Sequence, residues 1–381
     1  MAEPKLNKMI DSTLWYLYGN DLDLAKQKLN MRILKCKTKD EKLKFINLLT
    51  YIGDYKGCSR WLEHIDGITE IAGQQSQFRI LRHRKIHNPW QALIGSNDQN
   101  RLNITLKRHI EQGNPISIDL VGGIGDQIEN ASILMASKKN IVNPSALLLR
   151  PTGENSNIVK QLLEYVPNIR IAGEGEGNAW HVTAPWFRFW LNLNKLEEPP
   201  QALLEDKSPA KATGGILACW RSKVDKNNKL SSYSRSIPFR EIVANYQKLQ
   251  KDLRNRNQII YDISNYREEE EAIVKLNNPS VRLMRGKINN LLDTKQLMRN
   301  CSLIITVDTS LVHLAVASGR NVDLLLNKFP DERWQDLCEK GSSYAQHVIV
   351  HQQKEFHDWG EPLATIRQKI VAMDKQMLET N

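Results

Sequence analysis

The sequence is poor in cysteine and in long apolar runs, and each shortage excludes a class of protein. Its five cysteines are odd in number and widely spaced, with no Cys-x-x-Cys pair, so neither a disulfide framework nor a zinc site is indicated. No segment approaches the roughly 20 apolar residues that span a bilayer, and the first ten residues lack the apolar core of a signal peptide. We therefore expect a cytoplasmic protein with reduced thiols, and its 381 residues predict two or three domains.

The formal net charge of +10 is concentrated at one end of the chain. Residues 1–110 hold 19 Lys and Arg against 11 Asp and Glu, whereas the remaining residues are close to balance, with 34 against 32. A basic face can attract an acidic glycolipid, an anionic membrane or nucleic acid, although such faces are more often simply solvated. The charge alone therefore leaves the partner open.

Residues 1–110 form the first predicted unit, which has helical patterns and few strand-like runs up to about residue 90. Two segments resemble each other, one around Gly19 and one around Gly53, and their spacing of 34 residues is that of tetratricopeptide helical hairpins. Chance spacing within a helical region is the alternative. Two copies are fewer than such arrays usually need, so we expect these helices to dock on the domain that follows.

From about residue 113 strands alternate with helices, which is the pattern of an open parallel sheet. Residues 111–205 are predicted as one such domain, with a strand at Ile116–Val121, a helix at Gln127–Ser137 and a short strand at Ile169–Ile171. A polar, proline-rich stretch from Pro199 to Pro209 separates it from a second domain at residues 206–360. A closing helix is predicted within residues 361–381.

The second domain repeats the alternation. Its predicted strands are Ile216–Cys219, Ile259–Tyr261, Val281–Leu283, Leu303–Val307, Val322–Leu326 and Val348–Val350. Two doubly wound domains joined by a linker place a ligand cleft between the carboxyl ends of their strands.

The stretch Leu303–Gly319 combines a buried strand, a hydroxyl-rich turn and a helix. The first backbone N–H groups of a helix lack internal partners, and the helix dipole favours a phosphate beside them. We therefore predict an anion site at Asp308-Thr309-Ser310, where Asp308 caps the helix or holds a ligand hydroxyl and His313 faces the same turn. An ordinary capped helix in an α/β domain is the alternative.

A glycine-rich turn, Gly122-Gly123-Ile124-Gly125-Asp126, follows the first strand of the first domain and opens a helix. Its spacing fits neither the dinucleotide fingerprint nor the Walker loop. Gly123 and Gly125 allow a ligand or the opposite domain to approach the backbone closely. Asp126 is placed to act as a general base, for which we expect a modestly raised pKa. The alternative is an N-cap aspartate.

Basic residues follow the first strand of the second domain. Lys223 comes shortly after Trp220, and Arg235 and Ser236 precede a predicted helix that begins at Phe239. Because both cations lie at the carboxyl edge of one sheet, Lys223 and Arg235 are candidates to bind a diphosphate. Isolated basic residues are otherwise usually surface charges.

With these motifs in place, the chain resembles the heptosyltransferase-like glycosyltransferases of the GT-B fold over residues 113–378, and most of all bacterial members fused to tetratricopeptide repeats. Asp308–Ala315 matches the family turn Asp-Thr-x-x-x-His-Leu-Ala, and Gly123–Asp126 matches a Gly-x-Gly-Asp turn. Gln127–Asn130 departs from the aromatic-bearing run that usually follows that turn. Other stretches similar to family motifs are Trp220–Phe239, Leu292–Leu297, Leu324–Asn327 and the Pro330–Trp334 loop.

The resemblance implies an α/β protein of GT-B type, in which two Rossmann-like domains face a cleft and follow an α-helical region. It implies that the closing helix packs back towards the acceptor domain, residues 111–205. The implied activity is that of a hexosyl- or heptosyltransferase, which moves a sugar from a nucleotide-diphosphate donor to a hydroxyl of a surface glycan or lipopolysaccharide. Inversion, and a reaction without a metal ion or other cofactor, are also implied.

Two alternatives stay open: a protein O-glycosyltransferase that docks its substrate through the helical region, and a catalytically degenerate nucleotide-sugar-binding protein. ADP-heptose and UDP-N-acetylhexosamine are both possible donors. Besides the donor, the expected partners are an anionic glycan or lipid-linked acceptor and a peripheral contact with the inner membrane face, with no specific nucleic acid.

The resemblance also assigns roles to individual residues. Asp126 corresponds to the proposed catalytic base of the family. The residues expected to bind the nucleotide sugar are Gly123, Gly125, Trp220, Lys223, Arg235, Ser236, Asp308, Thr309, Ser310 and His313.

Overall fold

The computed structural model describes residues 21–62, 96–173, 179–204, 214–222, 234–253, 258–264, 278–284, 286–331, 333–339 and 341–379. Within these ranges the chain forms an N-terminal helical unit and two α/β units with parallel sheets, which confirms the predicted α/β class and its helical N-terminal region. Among the helices described, none is both long and apolar enough to cross a membrane.

The N-terminal unit contains the helices α1 (Leu22–Lys35), α2 (Lys39–Tyr51) and α3 (Tyr55–Leu62). The Asp21 carboxylate accepts a hydrogen bond from the Leu24 backbone N–H at 2.9 Å, which caps the start of α1. The helices bury a core of their own, formed mainly by Leu29, Ile33, Leu43, Ile46, Leu49 and Leu62. Gly19 lies outside the described residues, so the tetratricopeptide comparison stays a prediction.

The first α/β unit is built around a central strand, β1, which pairs in parallel with β2 and β3. The predicted strand Ile169–Ile171 is reduced to a single bridge between Leu149 and Ile171. β3 escapes sequence-based prediction because only one of its four residues is buried, so it has no apolar run. The elements are α4 (Ser96–Glu111), β1 (Ile116–Leu120), α5 (Ile124–Ser137), β2 (Leu147–Pro151), α6 (Ser156–Leu163), β3 (Trp180–Thr183) and α7 (Ala184–Leu193), with 3₁₀ turns at Lys138–Asn140 and Pro144–Ala146.

The second α/β unit has a parallel sheet in the order β6-β5-β4-β7-β8-β9. The order reverses between β4 and β7, which is the position where doubly wound sheets usually bind a ligand, at the carboxyl ends of the strands. β4 and β8 are buried along their whole length, as parallel strands covered on both faces are. The elements are β4 (Gly215–Cys219), α8 (Phe239–Asp252), β5 (Ile260–Asp262), β6 (Val281–Leu283), α9 (Leu291–Arg299), β7 (Cys301–Val307), α10 (Ser310–Ala317), β8 (Val322–Leu326), α11 (Arg333–Glu339), α12 (Ser343–His347), β9 (Val348–Gln352) and α13 (Gly360–Glu379).

The closing helix α13 packs on the second sheet. Its buried residues Leu363, Ile366 and Ile370 belong to one apolar cluster with residues of β4, β7 and α8. The Lys369 ammonium also donates to the buried carboxylate of Asp323 in β8 at 2.6 Å. The prediction that this helix packs back towards the acceptor domain is therefore wrong, because its apolar face covers the sheet of its own unit.

The two α/β units share one apolar cluster. It joins Leu120 and Ile128 of the first unit to Leu311, Val312 and Ala315 of α10 in the second. Helix α5 lies directly against α10. The predicted cleft is therefore closed where these two helices meet, and the two turns that precede them lie side by side.

The N-terminal helices dock on the second α/β unit. Gly53, in the turn between α2 and α3, has a positive φ of 72°, and a Cβ built on it would lie 2.5 Å from Cε1 of Phe329. The ring of Phe329 contacts that of Phe356, with 5.6 Å between centroids, and Phe356 packs on the core of the helices. The prediction of docking on the domain that follows is wrong for residues 21–62, because this aromatic pair belongs to the loops after β8 and β9.

Candidate active site

The turn after β7 begins α10 and lies at the reversal point of the second sheet. Thr309 has extended backbone and is the N-cap residue; its hydroxyl accepts from the Leu311 backbone N–H at 3.3 Å and lies 3.0 Å from the Thr306 hydroxyl. Thr309, and not Asp308, therefore caps the helix. Capping was one of the two roles predicted for Asp308. Asp308 is 6% exposed, and Ser310 is the first residue of the helix.

Arg235 lies at the same edge of the sheet. Its guanidinium donates to the backbone carbonyl of Asp308 at 3.3 Å and is 3.6 Å from the carboxylate. Ser236 accepts a hydrogen bond from the Ser222 backbone N–H at 3.0 Å. The structure thus brings Arg235 and the Asp308 turn together, whereas Ser236 binds the Ser222 backbone and Lys223 lies outside the described residues.

Trp220 supports this edge from inside the core. It is 1% exposed, and its indole N–H donates to the hydroxyl of Tyr246 at 2.7 Å. Tyr246 in turn donates to the Asp262 carboxylate at 2.5 Å. In this arrangement the Trp220 ring packs behind the strand end, and its predicted contact with a nucleotide sugar stays a prediction.

The glycine-rich turn of the first unit touches α10 directly. A Cβ built on Gly125 would lie 2.6 Å from Cδ2 of His313 and 3.4 Å from the Ser310 Cα. Gly123 is the N-cap residue of α5, and its backbone N–H donates to the Asp126 carboxylate at 2.8 Å. These glycines were expected to let either a ligand or the opposite domain approach the backbone. At Gly125 it is the opposite unit that approaches.

Replacing Gly125 by Ala tests this contact. The new methyl group must displace the buried His313 ring, which costs about 1–3 kcal/mol, while the better helix propensity of Ala returns at most about 1 kcal/mol. We expect a net loss of about 1–2 kcal/mol in the free energy of unfolding, measured by denaturant titration. Gly173→Ala is the control, because a Cβ at that exposed position has no neighbour within 4 Å. Equal stability of the two variants would contradict the contact.

His313 is buried, at 2% exposure, between the two units. Its Nδ1 is 2.8 Å from the Tyr344 hydroxyl, and its ring contacts that of Trp334 with 5.2 Å between centroids. Burial lowers the pKa of His313, and the charge of Arg333 lowers it further, against the opposing influence of nearby carboxylates. His313 is therefore neutral at pH 7 and offers a hydrogen-bonding ring, not a positive charge, to this turn.

Asp126 is paired with an arginine from the opposite unit. Arg333, the first residue of α11, donates to the Asp126 carboxylate and also lies 3.4 Å from Glu129 and 3.0 Å from Asp331. Burial alone would raise the pKa of Asp126, but the charge and hydrogen bond of Arg333 and the Gly123 N–H outweigh it, and the pKa is lowered. The expectation of a raised pKa is therefore wrong.

Arg333 carries a permanent charge in this network. Burial alone would lower its pKa, but Asp331, Asp126 and Glu129 raise it well above its ordinary value. The network continues through Arg188, which lies 3.4 Å from Glu129 and 3.1 Å from Glu197. Sequence reasoning identified the Pro330–Trp334 motif but gave Arg333 no role, and no sequence signal pointed to Glu129 or Arg188.

Within the ranges that the structure covers, no group of three or more His, Cys, Asp or Glu side chains is placed to hold a metal ion. The site contains instead the N-terminus of α10, the guanidinium of Arg235 and the ionised carboxylate of Asp126. These groups can bind an anion on one unit and accept a proton on the other. The prediction of a metal-independent reaction stays a prediction.

A six-stranded doubly wound sheet, with the Asp308 turn at its reversal point and a second α/β unit packed against it, fits the predicted GT-B type of fold. Residues 242–342 match the family model for glycosyltransferase family 9 (heptosyltransferase), and the match includes the Asp308 turn, His313 and Arg333. Over this part of the second α/β unit the chain is similar to the glycosyltransferases of family 9. Its association with tetratricopeptide repeats is not confirmed.

Solved structures of low sequence identity are similar to the chain. The ADP-heptose LPS heptosyltransferase II of E. coli is 13% identical, with a TM-score of 0.48, over 69% of this chain and 99% of that one. A family 9 glycosyl transferase from Veillonella parvula DSM 2008 is 12% identical, with a TM-score of 0.42, over 70% and 98%. The E. coli heptosyltransferase WaaC with ADP is 13% identical, with a TM-score of 0.35, over 87% and 96%. A comparison with curated proteins found no match.

Proposed function

We propose that the protein transfers a sugar from a nucleotide-diphosphate donor to a hydroxyl of a lipopolysaccharide or related surface glycan, with inversion and without a metal ion. One observation carries the proposal. The turn that contains Asp126 and the turn that begins α10 are in contact, so that a candidate base and a candidate diphosphate site lie at one place on two units. The family 9 match supports the transferase class and the heptosyl-type chemistry.

In this proposal the second unit holds the donor. The N-terminus of α10 and the guanidinium of Arg235 bind the diphosphate, and the same groups stabilise the charge that develops as the nucleoside diphosphate leaves. Neutral His313 orients the first turn of α10 through its contact with Tyr344. A fixed cation and a helix dipole thereby supply the charge stabilisation that a divalent metal supplies in other transferases.

The first unit supplies the base. The acceptor oxygen attacks the anomeric carbon, the bond from that carbon to the phosphate oxygen breaks, and the acceptor proton passes to Asp126. Attack from the side of the first unit, opposite the leaving diphosphate on the second, is a single displacement that inverts the anomeric centre.

For that step Asp126 must first be released. In the arrangement described, one carboxylate oxygen accepts from Arg333 and the other from the Gly123 N–H. We propose that the acceptor displaces Arg333 from Asp126, because Arg333 retains Glu129 and Asp331 as partners. Domain opening admits the substrates, and closure excludes water from the reaction.

A thermal-shift screen with ADP, UDP, GDP and CDP tests the donor site. We expect one nucleoside diphosphate to raise the melting temperature of the wild-type protein. Arg235→Ala should weaken its binding by about tenfold or more, since a charge-assisted hydrogen bond contributes about 1.5–3 kcal/mol. Arg240→Ala, at an exposed position on α8, is the matched control and should bind as the wild type does.

The outcomes separate the candidate functions. If no nucleoside diphosphate or nucleotide sugar shifts the melting temperature, the proposed transfer is wrong. Binding without any turnover of nucleotide sugars would favour a catalytically degenerate binding protein. Transfer to a polypeptide in place of a glycan would favour the protein O-glycosyltransferase alternative.

A further inference from the structure

A cavity of about 840 Å³ lies between the N-terminal helices and the second α/β unit. Its volume falls in the range of small-molecule sites, which is about 300–1,000 Å³. None of the residues that form the Asp308 turn line it, so it is distinct from the donor site. Its lining residues are Lys26, Gly53, Asp54, Tyr55 and Lys56 from the helices, and Leu326, Lys328, Phe329, Pro330, Asp331, Trp334, Cys338, Val350 and Gln352 from the second unit.

Three lysines give the cavity an attraction for anions. Lys56 is exposed, while Lys26 and Lys328 are about a third exposed. The acidic neighbours of Lys26 and Lys328 are Asp23 and Glu355, whose side chains are 97% and 76% exposed. Pairs with such exposed carboxylates are worth little, so these ammonium groups remain able to bind a phosphate.

The remaining wall suits a sugar ring. Tyr55 and Phe329 are half-buried and present aromatic surface. Asp54, Asp331 and Gln352 add oxygen atoms to the wall. The two carboxylates already accept hydrogen bonds within the protein, and each oxygen has a second lone pair that can accept from a hydroxyl group. Carboxylates among the lysines disfavour a ligand with adjacent phosphates, and the polar lining disfavours an acyl chain. The mixture of cations, hydroxyl acceptors and aromatic faces fits a sugar that carries a single phosphate.

We propose that this cavity binds a phosphorylated sugar of the acceptor glycan, away from the hydroxyl that reacts; this rests on the proposed function. Asp331 and the start of α11 lie between the cavity and the candidate active site. Asp331 and Trp334 line the cavity, whereas Arg333, between them in sequence, reaches Asp126. An acceptor anchored in the cavity therefore lies one loop away from the proposed base.

Calorimetric titration of the full chain with glucose 6-phosphate tests the proposal, with glucose and inorganic phosphate as comparison probes. Titrations are repeated with saturating ADP, UDP, GDP or CDP, whichever binds, so that the donor site is occupied. We expect glucose 6-phosphate to bind at least tenfold more tightly than either comparison probe. The double variant Lys56→Glu, Lys328→Glu should weaken that binding at least tenfold without changing nucleoside diphosphate binding.

The control is Lys107→Glu, Lys139→Glu, which reverses two exposed lysines of the first unit that also have glutamate neighbours. It should bind glucose 6-phosphate as the wild type does, and circular dichroism should show that all variants are folded. Equal binding of phosphate and glucose 6-phosphate would overturn the sugar assignment, and unchanged binding by the cavity variant would overturn the site. If the protein binds a nucleoside diphosphate but not glucose 6-phosphate, the cavity proposal is wrong and the proposed function stands. If it binds glucose 6-phosphate but no nucleoside diphosphate, the proposed function is wrong.

Discussion

Asp126→Asn should lower kcat by about 10²–10⁴-fold, which is the range that general base catalysis contributes. The amide keeps the size of the side chain and its hydrogen bond from the Gly123 N–H, but it cannot accept the acceptor proton. Binding of the nucleoside diphosphate should be unchanged, because Asp126 belongs to the first unit and the proposed diphosphate site to the second. Turnover is measured with the nucleotide sugar that the thermal-shift screen selects.

Asp119→Asn is the matched control for this variant. Asp119 lies in β1 of the same unit, where its carboxylate pairs with Arg150 at 2.6 Å. Its loss should change stability but leave the turnover of folded protein within about threefold of wild type. If Asp126→Asn retains activity as Asp119→Asn does, Asp126 is not the base.

Arg333→Ala should have two opposite effects. Because Arg333 lowers the pKa of Asp126, its removal raises that pKa, and the acid limb of the kcat/KM profile should move to higher pH. The same change leaves Asp126, Glu129 and Asp331 without their shared cation, so we expect a loss of about 1–3 kcal/mol in the free energy of unfolding at pH 7.

The pH dependence of that loss has a definite sign. A folded-state pKa that is lowered gives stability that is present above the unfolded pKa and disappears as pH falls through the folded value. The difference between wild type and Arg333→Ala should therefore be largest near neutral pH and shrink in acid. Arg333→Lys retains the charge and should keep the acid limb near its wild-type position. An acid limb that is the same in all three proteins would contradict the coupling of Arg333 to Asp126.

Local patterns in the sequence predict most of the second unit. Leu303–Val307 is apolar almost throughout because β7 is covered on both faces, and the following turn marks the carboxyl end of that strand. The same rule places Arg235 beside this turn. Arg235 follows β4 in sequence, Asp308 follows β7, and these two strands are parallel neighbours. These features depend on residues close in sequence or on the order of the strands.

Contacts between distant parts of the chain could not be predicted in this way. Arg333 and Asp126 are 207 residues apart, and their pairing depends on how α5 and α10 pack. If Arg333 is not considered, burial is expected to raise the pKa of Asp126. The charge and hydrogen bond of Arg333 lower that pKa instead. The surface on which the N-terminal helices dock could not be predicted for the same reason, because no local sequence pattern around Phe329 and Phe356 indicates their contact.

The apolar cluster that joins α5 to α10 also has a consequence for how the protein denatures. Domains with separate cores can melt one after the other, whereas the core of the first α/β unit continues into the second through Ile128 and Leu311. We therefore expect both units to melt in one cooperative transition, with calorimetric and van't Hoff enthalpies that agree. Two resolved transitions for these units would show that the shared cluster does not couple them.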